Sequence, residues 1–521
     1  MLGIVGRIVE KHARLHPDSI SALDAGKALT YRELNDRVNQ AARFLASEGL
    51  RQRDNAGLMI NNTAEFAVAF LALAKLGVAV NLWNFRLVSE DIKYMASLCG
   101  AKAVLYGEEF ESTISPVRAS GLGGLFVRIG EREPPPGVRN FSAEVRRFSS
   151  EEPPLCDLFP DDFSSVIYTS GTLGRPKGAA YTQSTQILSA IQYSLEMGLD
   201  RSHRGLTLAP LIHGGALNFW LAYLLVGGSF VFSGKYDPPT ALRLCVEHQV
   251  TELMAVPTQI EGLLSVPELE SYTLSSLRLI RTAGSRYPKS LVDRVRTRLG
   301  CEVLNTYGMT ENCANTTAYH SALDPYEKRD SIGKATYFWE VRVIRVDPDR
   351  PVSPAEAISP PGIGQLIVRG PQNIAEYYRN PQEAAPIQDG WLYTRDIVEV
   401  DEDGYMYIVD RIDNVIITGA ENVYPQEVEA FLLRHPGVAD AAVFGVPDPT
   451  WGEVVMACVC PKSPGITREE IDRYCRESGS LAGYKRPRII EIVDEIPKNV
   501  FGKTERKKLE KKYRALRSQS Y

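Results

Sequence analysis

The chain has 521 residues, of which 44% are hydrophobic, 9% aromatic and 24% charged. A single hydrophobic core rarely grows beyond about 300 residues, so this length predicts at least two domains, and the composition excludes disorder as the main state. The 59 basic and 64 acidic side chains give a formal net charge of -5, which argues against nucleic acid as a partner. Eight cysteines without a C-x-x-C pair predict neither a disulfide framework nor a zinc site, and they favour a reducing, cytoplasmic location.

Helix-period segments and short apolar runs alternate between residues 29 and 105 and again between 206 and 304. This rhythm is typical of β-α-β units, so we expect two doubly wound α/β subdomains. The apolar stretches 66–83 and 216–232 are interrupted by polar residues and glycines, which indicates buried helices that lead into strands, with no integral membrane segment. From residue 363 the pattern becomes strand-rich, with strands predicted at 365–369, 397–400 and 405–409, and a new α+β run follows residue 411. The predicted fold is therefore α/β: a large N-terminal domain over 1–411, comprising the two doubly wound subdomains and a β-rich one, and a small mobile α+β C-terminal domain over 412–521.

The segment Y-T-S-G-T-L-G-R-P-K-G, from Tyr168 to Gly178, follows a predicted strand at 164–167. Its three glycines allow backbone N–H groups to approach a ligand, its hydroxyls can donate hydrogen bonds, and Lys177 can neutralise a phosphate. It is not a Walker loop, because Pro176 precedes the lysine and Gly178 follows it. On composition alone, a glycine-rich surface turn explains this segment equally well.

The loop resembles, nearly residue for residue, the phosphate loop of the adenylate-forming superfamily, which comprises acyl-CoA synthetases, luciferases and the adenylation domains of peptide synthetases. Further matching segments follow in family order and extend the resemblance over essentially the whole chain, with acyl-CoA synthetases as the nearest group. These segments are residues 29–34, 283–286, 307–311, 391–396, 403–405, 410–411, 419–425 and 497–503.

The resemblance implies an acid–thiol ligase that uses ATP, Mg²⁺ and coenzyme A, as in fatty acid metabolism. A carboxylic acid first reacts with ATP to give an acyl-adenylate and pyrophosphate, and the acyl group then passes to CoA. The nucleotide-binding residues it implies are Thr169, Ser170, Gly171, Thr172, Gly174, Lys177, Gly284, Ser285, Tyr307, Gly308, Thr310, Asp396 and Arg411. Glu311 would hold the metal ion. Lys503 would act in catalysis together with Lys177, Thr310 and Glu311.

The resemblance also assigns the hinge, the thiol path and the acid site. Rotation of the small domain about Asp413 would remove Lys503 and open a tunnel for CoA along Gly419 and Ala420. His213, Gly214 and Gly215 stand where acyl- and aryl-CoA synthetases contact the acid, and amino-acid-activating domains carry an aspartate at the histidine position. An α-amino acid is therefore disfavoured, and a fatty, branched or aromatic acid is expected in an apolar pocket beside Phe219 and Trp220.

Several residues depart from the family pattern and keep alternatives open. Ala420 replaces a glycine of the tunnel, which would narrow the path for CoA, so an acyl-AMP ligase that serves a carrier protein or another nucleophile is the nearest alternative. Leu173, Gln183 and segment 283–286 also differ from the family motifs. These departures leave open a second alternative, an inactive paralogue that binds nucleotide but does not catalyse a reaction. Arg395 replaces the glycine of Thr-Gly-Asp, and it either contacts the nucleotide or points outward. The chain length of the acid and the oligomeric state, with a homodimer as one option, are not determined by the sequence.

Overall fold

The structure is a computed structural model, and it describes residues 4–24, 26–154, 156–170, 176–284, 287–313, 315–347, 350, 352–380, 385–418, 421–448, 450–478, 481–498 and 504–518. The chain divides into two compact units. The first comprises residues 1–341 and 368–392, and the second comprises residues 342–367 and 393–521. The boundary that the sequence places between residues 411 and 412 stays a prediction.

The strands of the described residues are numbered in chain order. They are β1 (Ile20–Asp24), β2 (Lys27–Thr30), β3 (Asn55–Met59), β4 (Ala79–Leu82), β5 (Ala103–Gly107), β6 (Leu125–Ile129), β7 (Arg139–Asn140), β8 (Phe163–Ser170), β9 (Pro176–Thr182), β10 (Arg204–Thr207), β11 (Ser229–Phe232), β12 (Glu252–Met254), β13 (Leu279–Thr282), β14 (Glu302–Tyr307), β15 (Thr317–His320), β16 (Lys334–Ala335), β17 (Glu340–Ile344), β18 (Gly362–Arg369), β19 (Ile387–Gln388), β20 (Trp391–Val400), β21 (Met406–Arg411), β22 (Ile416–Thr418), β23 (Glu421–Val423), β24 (Val438–Asp448), β25 (Gly452–Pro461) and β26 (Ile489–Ile492).

The helices are numbered in the same way. They are α1 (Ile8–Leu15), α2 (Tyr31–Ser47), α3 (Ala64–Lys75), α4 (Ser89–Cys99), α5 (Glu111–Ala119), α6 (Phe141–Val145), α7 (Gln183–Met197), α8 (Gly214–Val226), α9 (Pro238–Glu247), α10 (Pro257–Leu264), α11 (Lys289–Arg298), α12 (Pro425–Leu432), α13 (Arg468–Glu477) and α14 (Arg506–Ser518). Two short 3₁₀ helices, Thr310–Asn312 and Ile412–Asn414, bear on function.

The first unit contains two sheets with the parallel cores that the sequence rhythm predicts. One has the described strand order β16-β15-β14-β13-β12-β10-β11-β1-β2, and the other has the order β7-β6-β5-β3-β4-β8-β9. Helices connect the parallel strands, as the geometry of parallel pairing requires. The predicted doubly wound α/β class is confirmed.

The two apolar stretches of the sequence form α3 and α8, and both helices are buried on nearly every side. Lys75, which interrupts the first stretch, is buried as well. Its ammonium group donates hydrogen bonds to Asn35 at 2.9 Å and to Glu152 at 2.6 Å, which compensates the charge. Within the described ranges, no helix is both long enough and apolar enough to cross a lipid bilayer.

The second unit includes a small sheet with the described order β23-β22-β25-β24 and with β26 beside β25. Helices α12 to α14 accompany these strands, which agrees with the predicted α+β run. The unit also includes most of β20, which pairs antiparallel with β21, so that Asp396 lies opposite Arg411.

Candidate active site

The predicted phosphate loop connects two antiparallel strands, β8 and β9. In their register Thr169 pairs with Lys177, and Ser170 pairs with Pro176. Side chains of directly paired residues lie on the same face of a sheet, so a hydroxyl and an ammonium group are presented together where the strands join. Residues 171–175, which include the predicted Gly171, Thr172 and Gly174, lie outside the described residues.

Lys177 and Glu311 are brought together by a third residue, Tyr377. The Lys177 Nζ atom lies 4.1 Å from the centroid of the Tyr377 ring, a cation–π distance. The Tyr377 hydroxyl donates a hydrogen bond of 2.7 Å to Glu311 Oε1. Glu311 is buried, and its backbone carbonyl accepts a further bond from the amide of Ile374. The first unit thus holds a cation over the ring of one tyrosine and a carboxylate at its hydroxyl.

Tyr181 fixes the next part of the site. Its hydroxyl donates a 2.8 Å hydrogen bond to the backbone carbonyl of Thr310, the first residue of the 3₁₀ helix that carries Glu311. Burial raises the pKa of Tyr181 well above its ordinary value, and neighbouring Cys313 and Glu311 raise it further, so the phenol remains a donor. A Cβ atom added to Gly214 would lie 2.5 Å from the same hydroxyl oxygen. The predicted acid-contacting glycine and the predicted nucleotide motif therefore meet at Tyr181.

The hydroxyl oxygens of Thr169 and Thr282 are buried, and neither has a hydrogen-bond partner among the described residues. Leaving a buried polar group unpaired costs about 1–3 kcal/mol, so such atoms are expected where a ligand completes the bonding. Thr169 lies in the predicted phosphate region, and Thr282 ends β13 immediately before the predicted adenine segment. Both orphaned hydroxyls thus fit a nucleotide.

The predicted adenine residues follow the ends of two parallel strands, β13 and β14. Gly284 follows β13 with a φ of +88°, a left-handed value that glycine adopts without strain. Tyr307 ends β14 half-buried, and Gly308 follows it. Ligands of open α/β sheets bind beyond the carboxyl ends of the strands, which is where these residues lie. Ser285 lies outside the described residues.

The predicted acid-contacting residues start α8. His213 is its half-buried N-cap residue, and Gly214 and Gly215 form its first turn. Asn218, one turn further on, donates a 3.1 Å hydrogen bond to the backbone carbonyl of Cys313.

Phe219 and Trp220, which the sequence places beside the acid, are both packed in the core. The Trp220 ring lies edge-on to the ring of Phe70 at 5.7 Å, and the Phe219 ring contacts the ring of Tyr223 at 5.0 Å. Because α8 is apolar on every face, its sequence does not show which side chains face the core.

The second unit holds a separate cluster of charges on β20, β21 and the 3₁₀ helix Ile412–Asn414. Arg411 Nη1 lies 3.2 Å from Asp396 Oδ1, and Asp396 is largely buried. Arg395 binds Asp413 through two nitrogens, with Nη2 at 2.6 Å and Nε at 3.1 Å from Oδ1. Arg395 thus contacts the predicted hinge residue. Gly419, Ala420 and Lys503 lie outside the described residues.

Tyr377 and Tyr181 are the connecting residues that sequence reasoning missed. Neither stands in a spacing that suggests a site, because each contacts residues distant along the chain. The sequence offers one weak indication of a role for Tyr181: it lies near the end of β9, the strand that begins just before Lys177.

The fold and the lysine–tyrosine–glutamate cluster define a nucleotide-binding α/β enzyme of the adenylate-forming class. The chain belongs to the AMP-binding enzyme family, which it matches over residues 9–378, and residues 427–503 match the AMP-binding enzyme C-terminal domain.

Similar proteins include a feruloyl-CoA synthase of Amycolatopsis sp, 33% identical over 496 residues, with 95% of this chain and 96% of that protein covered. The long-chain-fatty-acid–CoA ligase FadD13 of Mycobacterium tuberculosis is 30% identical over 493 residues, with 94% and 93% covered. Among solved structures, the O-succinylbenzoate coenzyme A synthetase of Bacillus subtilis in complex with ATP and magnesium ion has a TM-score of 0.82. It is 28% identical, and the match covers 96% of this chain and 99% of that chain.

Proposed function

We propose that this protein is an ATP-dependent carboxylic acid–CoA ligase that forms an acyl-adenylate and pyrophosphate, and then an acyl-CoA thioester. The observation that carries the proposal is the cluster of Lys177, Tyr377 and Glu311 beside the orphaned hydroxyl of Thr169. Family membership and the relatives named above, which are CoA ligases and synthases, support the same reaction.

The first half-reaction joins two anions, so its barrier is largely electrostatic. A carboxylate oxygen forms a bond to the α-phosphorus of ATP, and the bond from that phosphorus to the oxygen bridging to the β-phosphate breaks to release pyrophosphate. Lys177, Thr169 and Ser170 would hold the β- and γ-phosphates together with Gly171, Thr172 and Gly174. Thr310 would contact the α-phosphate. Each well-placed donor of this kind is worth about 10²- to 10³-fold in rate.

Glu311 is the residue that we assign to Mg²⁺. A carboxylate is a preferred ligand of this ion, and the hydrogen bond from Tyr377 orients one oxygen of Glu311 and leaves the other for coordination. When bound, Mg²⁺ would neutralise negative charge on the phosphate oxygens.

The rest of the nucleotide would be held by residues at the strand ends and on β20 and β21. Tyr307, Gly308, Gly284 and Ser285 would surround the adenine. Asp396 has the two-oxygen acceptor that paired ribose hydroxyls require, and Arg411 would bind the ribose or a phosphate.

The second half-reaction would follow rotation of a C-terminal domain, residues 412–521, about Asp413. Lys503 would stabilise the developing charge during adenylation and leave with that domain. The CoA thiol would then approach past Gly419 and Ala420 and attack the acyl carbon, and AMP would depart. Such a rotation would separate the two reactions in one site.

We propose a fatty or aromatic acid as the substrate, which would lie against His213, Gly214 and Gly215. The relatives support this class, since one is named for feruloyl-CoA and another for long-chain fatty acids. A cytoplasmic location is proposed because all eight cysteines are free. A homodimer is a further expectation, which sedimentation velocity would test.

Acid-dependent exchange of pyrophosphate into ATP tests the first half-reaction, and thioester formation with CoA tests the second. We expect both with at least one fatty or aromatic acid. Exchange without a CoA thioester, followed by transfer to a carrier protein, would favour the acyl-AMP ligase. Absence of exchange with every acid in a broad panel would favour the inactive paralogue.

A further inference from the structure

Arg395 has an unfavourable backbone conformation for its residue type. Its φ angle is +61°, in the left-handed region that non-glycine residues adopt at a cost in free energy. Its flanking residues are buried, Thr394 at 1% and Asp396 at 9% relative exposure, whereas the Arg395 side chain is 46% exposed. Core packing does not explain the arginine, since its side chain points away from the core.

The guanidinium group of Arg395 instead reaches the 3₁₀ helix Ile412–Asn414 and binds Asp413 with two nitrogens, as described above. Burial alone would raise the pKa of Asp413, but the hydrogen bond and charge of Arg395, together with Arg411 and Lys507, hold it below its ordinary value. Asp413 is therefore an ionised partner at neutral pH, in a cluster where Arg411 Nη2 lies 4.0 Å from its second oxygen.

The residues on either side of Asp413 are held by a different kind of contact. Asp410 is fully buried, and its carboxylate accepts hydrogen bonds from the side chain of Asn414 at 2.9 Å and from the backbone amide of Gln426 at 2.8 Å. These bonds stay inside the fold and are shielded from salt. Both side chains of the Arg395–Asp413 pair are exposed, Arg395 at 46% and Asp413 at 38%, so water and salt ions can compete with the ion pair.

We propose that Arg395 is a positioning residue that latches Asp413 through a breakable ion pair and so controls how readily the chain rotates at this point. The proposal rests on the proposed function only in that Asp413 is the hinge of the catalytic cycle. The Asp410 bonds to Asn414 and Gln426 also span Asp413 and are unchanged by substitutions at position 395. The exposed latch must open in addition before the backbone at residues 412–414 can change its dihedral angles. A glycine at position 395 would adopt the same positive φ angle without strain, but it could not form the ion pair with Asp413.

Hydrogen exchange at the hinge tests the latch without requiring catalysis. The amide of Val415 donates a hydrogen bond to the carbonyl of Ile412 and reports opening of the 3₁₀ turn. We expect Arg395→Asn and Asp413→Asn each to speed its exchange about 2- to 5-fold, the range for an exposed ion pair, with no further gain in the double variant. Asparagine is used at position 395 because it tolerates a positive φ.

The matched control is Arg53→Asn. Arg53 also has a positive φ, +69°, and its Nε atom binds Asp162 at 2.9 Å, so this substitution removes the same chemistry from the first unit. The rate of hydrogen exchange at the Val415 amide should not change in the control. Raising the salt concentration should speed exchange in the unsubstituted protein and leave Arg395→Asn unaffected. Equal exchange in Arg395→Asn and the unsubstituted protein, or additive effects in the double variant, would overturn the latch.

The kinetic consequence is measured separately. With acyl-adenylate supplied, transfer to CoA in a single turnover should be about 2- to 5-fold faster in Arg395→Asn, while pyrophosphate exchange is retained. Arg395→Gly should behave as Arg395→Asn does, which guards against an effect peculiar to asparagine. Unchanged transfer in both variants would refute control of the cycle by the latch. If the proposed function itself is wrong, the unsubstituted protein should show no pyrophosphate exchange, and this outcome is distinct from failure of the latch.

Discussion

Tyr377→Phe removes a single oxygen atom and isolates the bond that orients Glu311. The phenylalanine ring can still lie against the Lys177 ammonium group, because the cation–π contact uses the ring and not the hydroxyl. The 2.7 Å bond to Glu311 Oε1 is lost. A hydrogen bond to a charged group contributes about 1.5–3 kcal/mol. Since about 1.4 kcal/mol corresponds to a tenfold change in an equilibrium constant, we expect apparent Mg²⁺ affinity to fall about 10- to 100-fold, as for other residues that orient a metal ligand.

The assay is pyrophosphate exchange measured over a range of Mg²⁺ concentrations at saturating ATP and acid. The substitution should raise the Mg²⁺ concentration for half-maximal exchange and leave most of the maximal rate. Tyr378→Phe is the matched control, because the adjacent Tyr378 ring packs against Phe163 at 5.2 Å. If Tyr377→Phe folds normally and shows the Mg²⁺ dependence of the control, the role assigned to Glu311 and its tyrosine is refuted.

Lys503→Ala should reduce adenylation about 10²- to 10³-fold and largely spare thioester formation from supplied acyl-adenylate; intact adenylation would contradict its role. Gly214→Ala should cost about 1–3 kcal/mol in stability, because its Cβ atom would lie 2.5 Å from the Tyr181 hydroxyl, and an unchanged melting temperature would argue against that contact. Burial raises the pKa of Glu196 despite hydrogen bonds from Gln192 and other neighbours. The contribution of Glu196 to stability is therefore fully present below the ordinary pKa of 4.5 and is lost as the pH rises above it. The stability of Glu196→Gln relative to the parent should rise as the pH is raised above 4.5, measured by urea titration at each pH.

The parts of the fold that the sequence predicts well depend on local patterns. The alternation of helical and apolar segments identified the parallel cores, and glycines and hydroxyls around Lys177 identified the loop between β8 and β9. The strand predicted at 397–400 extends instead over Trp391–Val400. Thr394 and Asp396 interrupt the apolar pattern of this strand, although both are buried, and their hydrogen bond and ion pair replace apolar contacts.

The parts that the sequence did not predict are tertiary contacts. Tyr377 joins Lys177 to Glu311, and no spacing within any one segment brings the three together. Arg395 departs from the family pattern in the sequence, but its partner Asp413 is set by the pairing of β20 with β21, which places the neighbouring Asp396 opposite Arg411. Local sequence thus identified candidate groups, and the packing of distant segments determined which of them touch.

The most direct test of the proposed activity is a two-stage assay of the intact protein with ATP, Mg²⁺ and a panel of fatty and aromatic acids. The first stage follows acid-dependent pyrophosphate exchange, and the second adds CoA and measures the thioester by mass spectrometry. The proposal predicts at least one acid that supports both stages. Silence in both stages with every acid, from a protein that is folded and binds ATP, would contradict it.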